Sequence, residues 1–214
     1  MKKDLTEVVF ILDRSGSMRG MEADTVGGFN AMIEKQRGEA GEALISAVLF
    51  DNVSEVIYDR VPVAKVEELT QRQYYVRGCT ALIDAIGGAI HHISNVHRYI
   101  RAEDVPEHTI FVITTDGLEN ASSKYSSAEV KRMIEEKKAL GWEFIFIGAN
   151  IDSVETAKHF GIDSRHAVDY NCDSAGTAAN YACMCEAVSQ VRSGGKLSSG
   201  AWKRKLEEDN SRRG

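Results

Sequence analysis

The sequence predicts a doubly wound α/β domain, with a mostly parallel sheet between two helical layers. Three observations carry that reading. Short apolar, β-branched runs recur along the chain, each followed by a turn-like cluster. Longer segments between them place apolar residues at helical spacing. The two kinds of segment alternate, as strand–helix–strand crossovers require.

Residues 7–12 (EVVFIL) run into Asp13 and read as a strand buried on both faces. Residues 24–37 follow with Val26, Phe29, Met32 and Ile33 on one helical stripe. Residues 43–50 (ALISAVLF) form the next apolar run. Only Asp51-Asn52 separates it from the alternating stretch 53–58 (VSEVIY), so the two are expected to pair as an antiparallel hairpin that places one antiparallel strand at the sheet edge. Residues 80–101 carry Leu82, Ile86, Ile90 and Ile93 at helical spacing, and residues 109–115 (TIFVITT) form a further buried strand. A Ser-x-x-Glu capping box, Ser126 to Glu129, opens a helix over 126–140 that Gly141 closes. Residues 142–148 (WEFIFIG) read as a strand, 153–160 as a short helix ended by Gly161, and 174–192 as a last long helix. The expected domain covers 1–192. Glycine, serine and charged residues from 193 onward predict a flexible charged tail over 193–214, with a short helix near 202–208. Trp202 is out of place in such a tail and is expected to dock back on the domain or on a partner.

A chain of 214 residues has the size of one domain and needs no disulfide or metal staple to fold. Its net charge of −6 argues against nucleic acid or an anionic membrane as partner. The first apolar run, 8–12, is too short for a signal-peptide core, and no window approaches the roughly 18 apolar residues of a membrane span. A cytoplasmic protein is expected on these grounds. Cys79, Cys172, Cys183 and Cys185 match neither a zinc ribbon nor a CxxC pair and read as reduced, partly buried thiols. His91, His92 and His97 share no i, i+3 or i+4 spacing, so they read as separate histidines rather than a metal site.

In an open α/β sheet, ligands bind beyond the carboxyl ends of the strands. Three places put oxygen-bearing side chains there: Asp13-Arg14-Ser15-Gly16-Ser17, Gly78-Cys79-Thr80 and Thr115-Asp116-Gly117. The set Asp13, Ser15, Ser17, Thr80 and Asp116 offers two carboxylates and three hydroxyls, with no thiolate or imidazole. Such hard donors suit Mg²⁺, Mn²⁺ or Ca²⁺ rather than zinc or copper. Loops this small leave a coordination shell open for water or a partner. Two serines capping the next helix would account for Ser15 and Ser17 but not for Thr80 and Asp116. Asp51 is expected in the hairpin turn, and Asp84 as a support one helical turn after Thr80. Glu119, Asn120, Met18, Arg19 and Met21 would flank the same face, although the methionines fit a helix start equally well.

At these residues the chain resembles the von Willebrand factor A family. Its metal-ion-dependent adhesion site is written Asp-x-Ser-x-Ser, then a distant Thr, then a distant Asp. Asp13, Ser15, Ser17, Thr80 and Asp116 match every position, within the words VVFILDRSGSM and FVITTDG. The resemblance covers about residues 6–191 and implies a Rossmann-like three-layer fold with Mg²⁺ or Mn²⁺ at its top, and Ca²⁺ less favoured. It further implies direct coordination by Ser15, Ser17 and Thr80, with Asp13 and Asp116 acting through water and a partner's Asp or Glu completing the shell. Cytosolic bacterial members are the nearest in kind.

The leading expectation is therefore a metal-dependent protein-binding module that is not an enzyme. The alternative from another class is a Mg²⁺-dependent phosphoryl-transfer or hydrolase domain. Haloacid-dehalogenase-like phosphatases place a nucleophilic Asp after the first strand, but need a second acid where this chain has Ser15. The chain also has no P-loop, GxGxxG or nucleophile elbow. A structural domain with a vestigial metal site is the third reading. Oligomeric state is not legible.

Overall fold

A computed structural model describes residues 1–194, 196–197 and 200–213. Its first strand, β1 (Lys2–Asp13), is buried from Leu5 onward. Val8, Phe10 and Leu12 enter the core on one face of the sheet, while Val9 and Ile11 enter the core on the other. Successive side chains of a strand point to opposite faces, so a strand covered on both sides must be apolar throughout. That is why this run shows no alternation.

Five further strands join it: β2 (Glu42–Phe50), β3 (Ser54–Pro62), β4 (Pro106–Thr115), β5 (Glu143–Gly148) and β6 (Ala167–Asp169). The sheet order is β3-β2-β1-β4-β5-β6. All neighbours are parallel except β3, which runs antiparallel to β2 at one edge as the hairpin signal predicts. The three-residue strand β6 was not expected, because so short a segment carries no legible period.

The helices α1 (Glu22–Arg37), α5 (Ser174–Arg192) and α6 (Arg204–Arg213) cover one face. The helices α2 (Leu82–Tyr99), α3 (Ser127–Ala139) and α4 (Ser153–His159) cover the other. This is the three-layer α/β/α arrangement. The Ser126–Glu129 capping box forms at the start of α3, with each residue bonding the other's backbone N–H. On the first face Phe29 of α1 packs edge-on against Phe10, ring centroids 5.6 Å apart. No helix among the described residues is long and apolar enough to cross a membrane.

The segment read as a flexible tail, 193–214, behaves differently where it is described. A 3₁₀ turn, Gly200–Lys203, leads into α6, which packs on α5 and β6. Trp202 and Leu206 are buried in the first-face core, and Leu197 joins them. Exposed charges dominate the composition of this segment, and three buried apolar side chains nevertheless tie it down. The expected docking of Trp202 is onto the domain itself.

The histidines do not cluster. His92 bonds Asp59 at the surface, whereas His97 bonds the buried Glu7, which Arg60 also reaches. Cys183 and Cys185 are buried, Cys172 is half-buried, and Cys79, expected to be partly buried, is exposed.

Candidate metal centre

The chain winds from β1 out through β2 to β3 at one edge, then crosses back through α2 to β4 on the other side of β1, so the strand order reverses at the β1/β4 junction. In doubly wound sheets that reversal opens a crevice at the strand C-termini. Asp13 ends β1, and Thr115 and Asp116 lie at the end of β4 beside it. All five residues singled out by sequence are at this crevice.

Asp13 is held by its surroundings. The Ser15 N–H donates to Oδ1 at 2.7 Å, and the Thr115 hydroxyl donates to Oδ2 at 2.6 Å. Its backbone carbonyl accepts from the buried Tyr74 hydroxyl at 2.5 Å. Ser15 Oγ and Ser17 Oγ are 3.0 Å apart, and Ser17 donates to Asp116 Oδ1. The half-buried Cys172 thiol approaches Asp116 Oδ2 at 3.7 Å.

Thr80 arrives on a separate loop. Gly78 takes a left-handed turn (φ +70°), where a side chain would be strained and would strike Asn52. Its carbonyl accepts from the Gly16 N–H at 3.1 Å, which stitches the two loops together. Thr80 and Asn120 then exchange bonds, Thr80 N–H to Asn120 Oδ1 at 2.9 Å and Asn120 N–H to the Thr80 carbonyl at 3.0 Å. Gly117 completes the cradle. A methyl group there would sit 3.4 Å from Ser17 Oγ and 3.5 Å from Thr80 Oγ1, so both hydroxyls face the same small space.

Asp13, Ser15, Thr80 and Asp116 are buried, and Ser17 alone is open to solvent. Burial raises the Asp13 carboxyl above its ordinary value, against the bonds from Thr115 and Ser15. Burial also raises Asp116, with the Ser17 bond opposing and the Asp13 charge adding to the rise. Burial and the Asp116 charge push the Cys172 thiol up to about 11, which keeps it a neutral donor. Among the described residues no three His, Cys, Asp or Glu side chains converge on one metal position. The crevice holds two carboxylates, and the other three residues of the set bring hydroxyls.

The flanking residues take other roles. Asp51 closes the hairpin turn by accepting from the Val53 N–H, and it also binds Arg14 and Arg77. Asp84 accepts from the N–H groups of Ser123, Lys124 and Tyr125 and so holds a neighbouring loop rather than the centre. Glu119 caps the start of α2 through the Ile83 N–H. Met18 is buried beneath Tyr170 instead of lining an exposed rim. The sequence places Asn120 on the flanking face and Thr115 in the strand-end loop, and the structure gives them bonds to Thr80 and Asp13. Tyr74 and Cys172, which lie outside the motif in the chain, were missed as supports.

No family model and no curated protein matches the chain. Solved structures do match in shape. The vWF domain of the type V pili tip protein Mfa5 from Porphyromonas gingivalis aligns with a TM-score of 0.61 at 12% identity, over 86% of this chain and 94% of that one. Manganese-loaded TRAP protein from Plasmodium vivax aligns with a TM-score of 0.55 at 14% identity, covering 84% of this chain and 73% of that one. Proximal thread matrix protein 1 from the mussel byssus, with a zinc-occupied MIDAS motif, aligns at 0.55 and 12% identity over 84% of this chain. The chain spans only 46% of that protein's length. At such identities shape is what is shared, and the chain has the three-layer fold of von Willebrand factor A-type domains.

Proposed function

We propose that the chain is a divalent-cation-dependent protein-binding module, with no catalytic role. One observation carries this reading: Asp13 and Asp116 are buried side by side, and neither has an ion-pair partner among the described residues. Two buried carboxylates without a counter-charge are costly unless a cation joins them. The donor set fits a hard cation, with Ser15, Ser17 and Thr80 supplying hydroxyls and the two acids balancing a charge of about +2. Mg²⁺ suits it best, then Mn²⁺, with Ca²⁺ less favoured. Bound there, a divalent cation supplies a positive point with an open coordination position for a partner's Asp or Glu. The manganese in TRAP and the zinc in the thread matrix protein support the same use of this fold.

The non-enzymatic reading draws support from the side chains around the crevice. Arg14, next to Asp13, turns away to Asp51 and Glu55 and so does not face a phosphoryl group. Cys172, kept as a thiol, is a poor nucleophile.

The test is a titration of the metal-stripped chain with Mg²⁺, Mn²⁺ and Ca²⁺, followed by calorimetry and thermal melting. One saturable site in the wild type, absent in Asp13→Ala, is the expected result. A wild type that binds none of the three, alone or with acidic peptides, would sink the proposal.

A further inference from the structure

We infer that the acidic partner is read at two points, and that Arg77 holds a second carboxylate beside the one the centre captures. The inference rests on the metal-capture reading above. Its evidence lies in how Arg77 is built. The Arg77 Nε donates to Asp51 Oδ2 at 2.8 Å, and the guanidinium lies over the Tyr75 ring, 5.2 Å from its centroid. One edge of the fork is thereby fixed. The terminal nitrogens donate to nothing among the described residues, and the side chain is 46% exposed. A pre-oriented guanidinium with two free donors is the geometry that binds a carboxylate bidentately.

Its backbone is tied to the loop of the centre. The Arg77 N–H donates to the Arg14 carbonyl at 3.0 Å, directly before Ser15. Three residues later in the chain stands Thr80, so the two Cα atoms are at most about 11 Å apart. The neighbouring guanidinium of Arg14 adds positive charge under the same patch, lying 5.1 Å from the Tyr75 centroid. Its Nη2 is buried with no acceptor. Asp51 and Glu55 balance the two guanidinium charges. On a chain of net charge −6 this rim is therefore locally neutral, and the free edge of Arg77 meets an acidic segment without net repulsion. The occupant is an extended peptide with two acids one residue apart, since i and i+2 side chains of a strand share a face and sit about 6.6 Å apart.

The probes are two synthetic peptides, acetyl-Gly-Asp-Gly-Asp-Gly-amide and its single-acid counterpart with Asn at the fourth position. Each is titrated by NMR into the full chain with Mg²⁺, and again with excess chelator. For the wild type the two-acid peptide should bind about fivefold tighter, the size of one well-formed exposed ion pair. Two equivalent acids alone give a statistical factor of about two. Arg77→Gln should reduce the ratio to that statistical value, and Arg72→Gln, which removes a charge from an exposed position of the same loop, should keep the wild-type ratio. Should Arg77→Gln fail to fold, Arg77→Lys decides, because it retains the charge and loses the fork. A wild-type ratio of two or less, or an Arg77 variant that keeps the fivefold preference, overturns the inference and leaves metal capture standing. Absence of binding by either peptide, or binding indifferent to chelator, removes the metal-capture reading and this inference with it.

Discussion

Arg14 Nε donates to Asp51 Oδ2 over 2.8 Å from a guanidinium with no solvent exposure, although Arg14 sits inside the Asp13–Ser17 loop. The pairing draws the only cation of that loop toward the β2–β3 hairpin and away from the two acids of the crevice. Arg77 Nε reaches the same oxygen at the same distance, so two guanidinium groups share one carboxylate. Glu55 helps: its Oε2 lies 2.7 Å from Arg14 Nη1, though outside hydrogen-bond alignment. Burial alone would raise the Asp51 carboxyl, but bonds from Arg77, the Val53 N–H and Arg14 outweigh it and hold it below the ordinary value.

The two sides of this pair should respond unequally to mutation. Asp51→Ala leaves the Arg14 charge buried with only a half-exposed Glu55 nearby and is expected to cost about 3–5 kcal/mol. Arg14→Met fills the same space without charge and leaves Asp51 paired with Arg77, so its cost should be well under half of that. Urea denaturation of the two variants checks the order, and equal losses would refute the account.

Trp202 is a second anchor. It is 1% exposed, and Trp202→Ala should cost about 3–5 kcal/mol through cavity formation. In a chain of this size that corresponds to a fall in Tm of roughly 6–20 °C. Lys205→Ala, exposed on the helix α6 that follows, should stay within about 0.5 kcal/mol. Differential scanning calorimetry separates a docked C-terminal segment from a free one, for which both substitutions would be neutral.

Protons and metal should compete for Asp13 and Asp116. Both carboxyls are raised on folding, so the metal-free folded state binds more protons than the unfolded chain. The stability these groups contribute is complete below the unfolded carboxylate value and declines as pH rises through their raised folded values. Asp116→Asn removes one of them. Without metal, the variant should gain on the wild type as pH rises from about 4 to 7. With Mg²⁺ the order should reverse near neutrality, because only the wild type binds the ion. Melting curves across that range, with and without Mg²⁺, read both trends. A metal-induced shift in Tm that is larger at pH 4 than at pH 7 would contradict the assignment.

Periodicity and short-range turn chemistry made much of this protein legible from its sequence. Apolar runs such as EVVFIL marked the strands because both faces of the sheet are covered, and the Ser126–Glu129 box marked its helix because capping needs only neighbours in the chain. The oxygen-bearing residues Asp13, Ser15, Ser17, Thr80 and Asp116 could be named because strand ends and helix starts are local features. What the sequence left open were relations between residues far apart in the chain. Thr115 bonds Asp13 only because the parallel register of β1 and β4 brings positions 102 residues apart side by side. The same holds for Cys172 at Asp116, for Asp51 between two arginines, and for Trp202 in the core beneath α5. Each depends on packing among side chains from separate elements, which local periodicity does not encode. The sequence determined which oxygens stand at the strand ends; the tertiary structure decided where the nearby charges point.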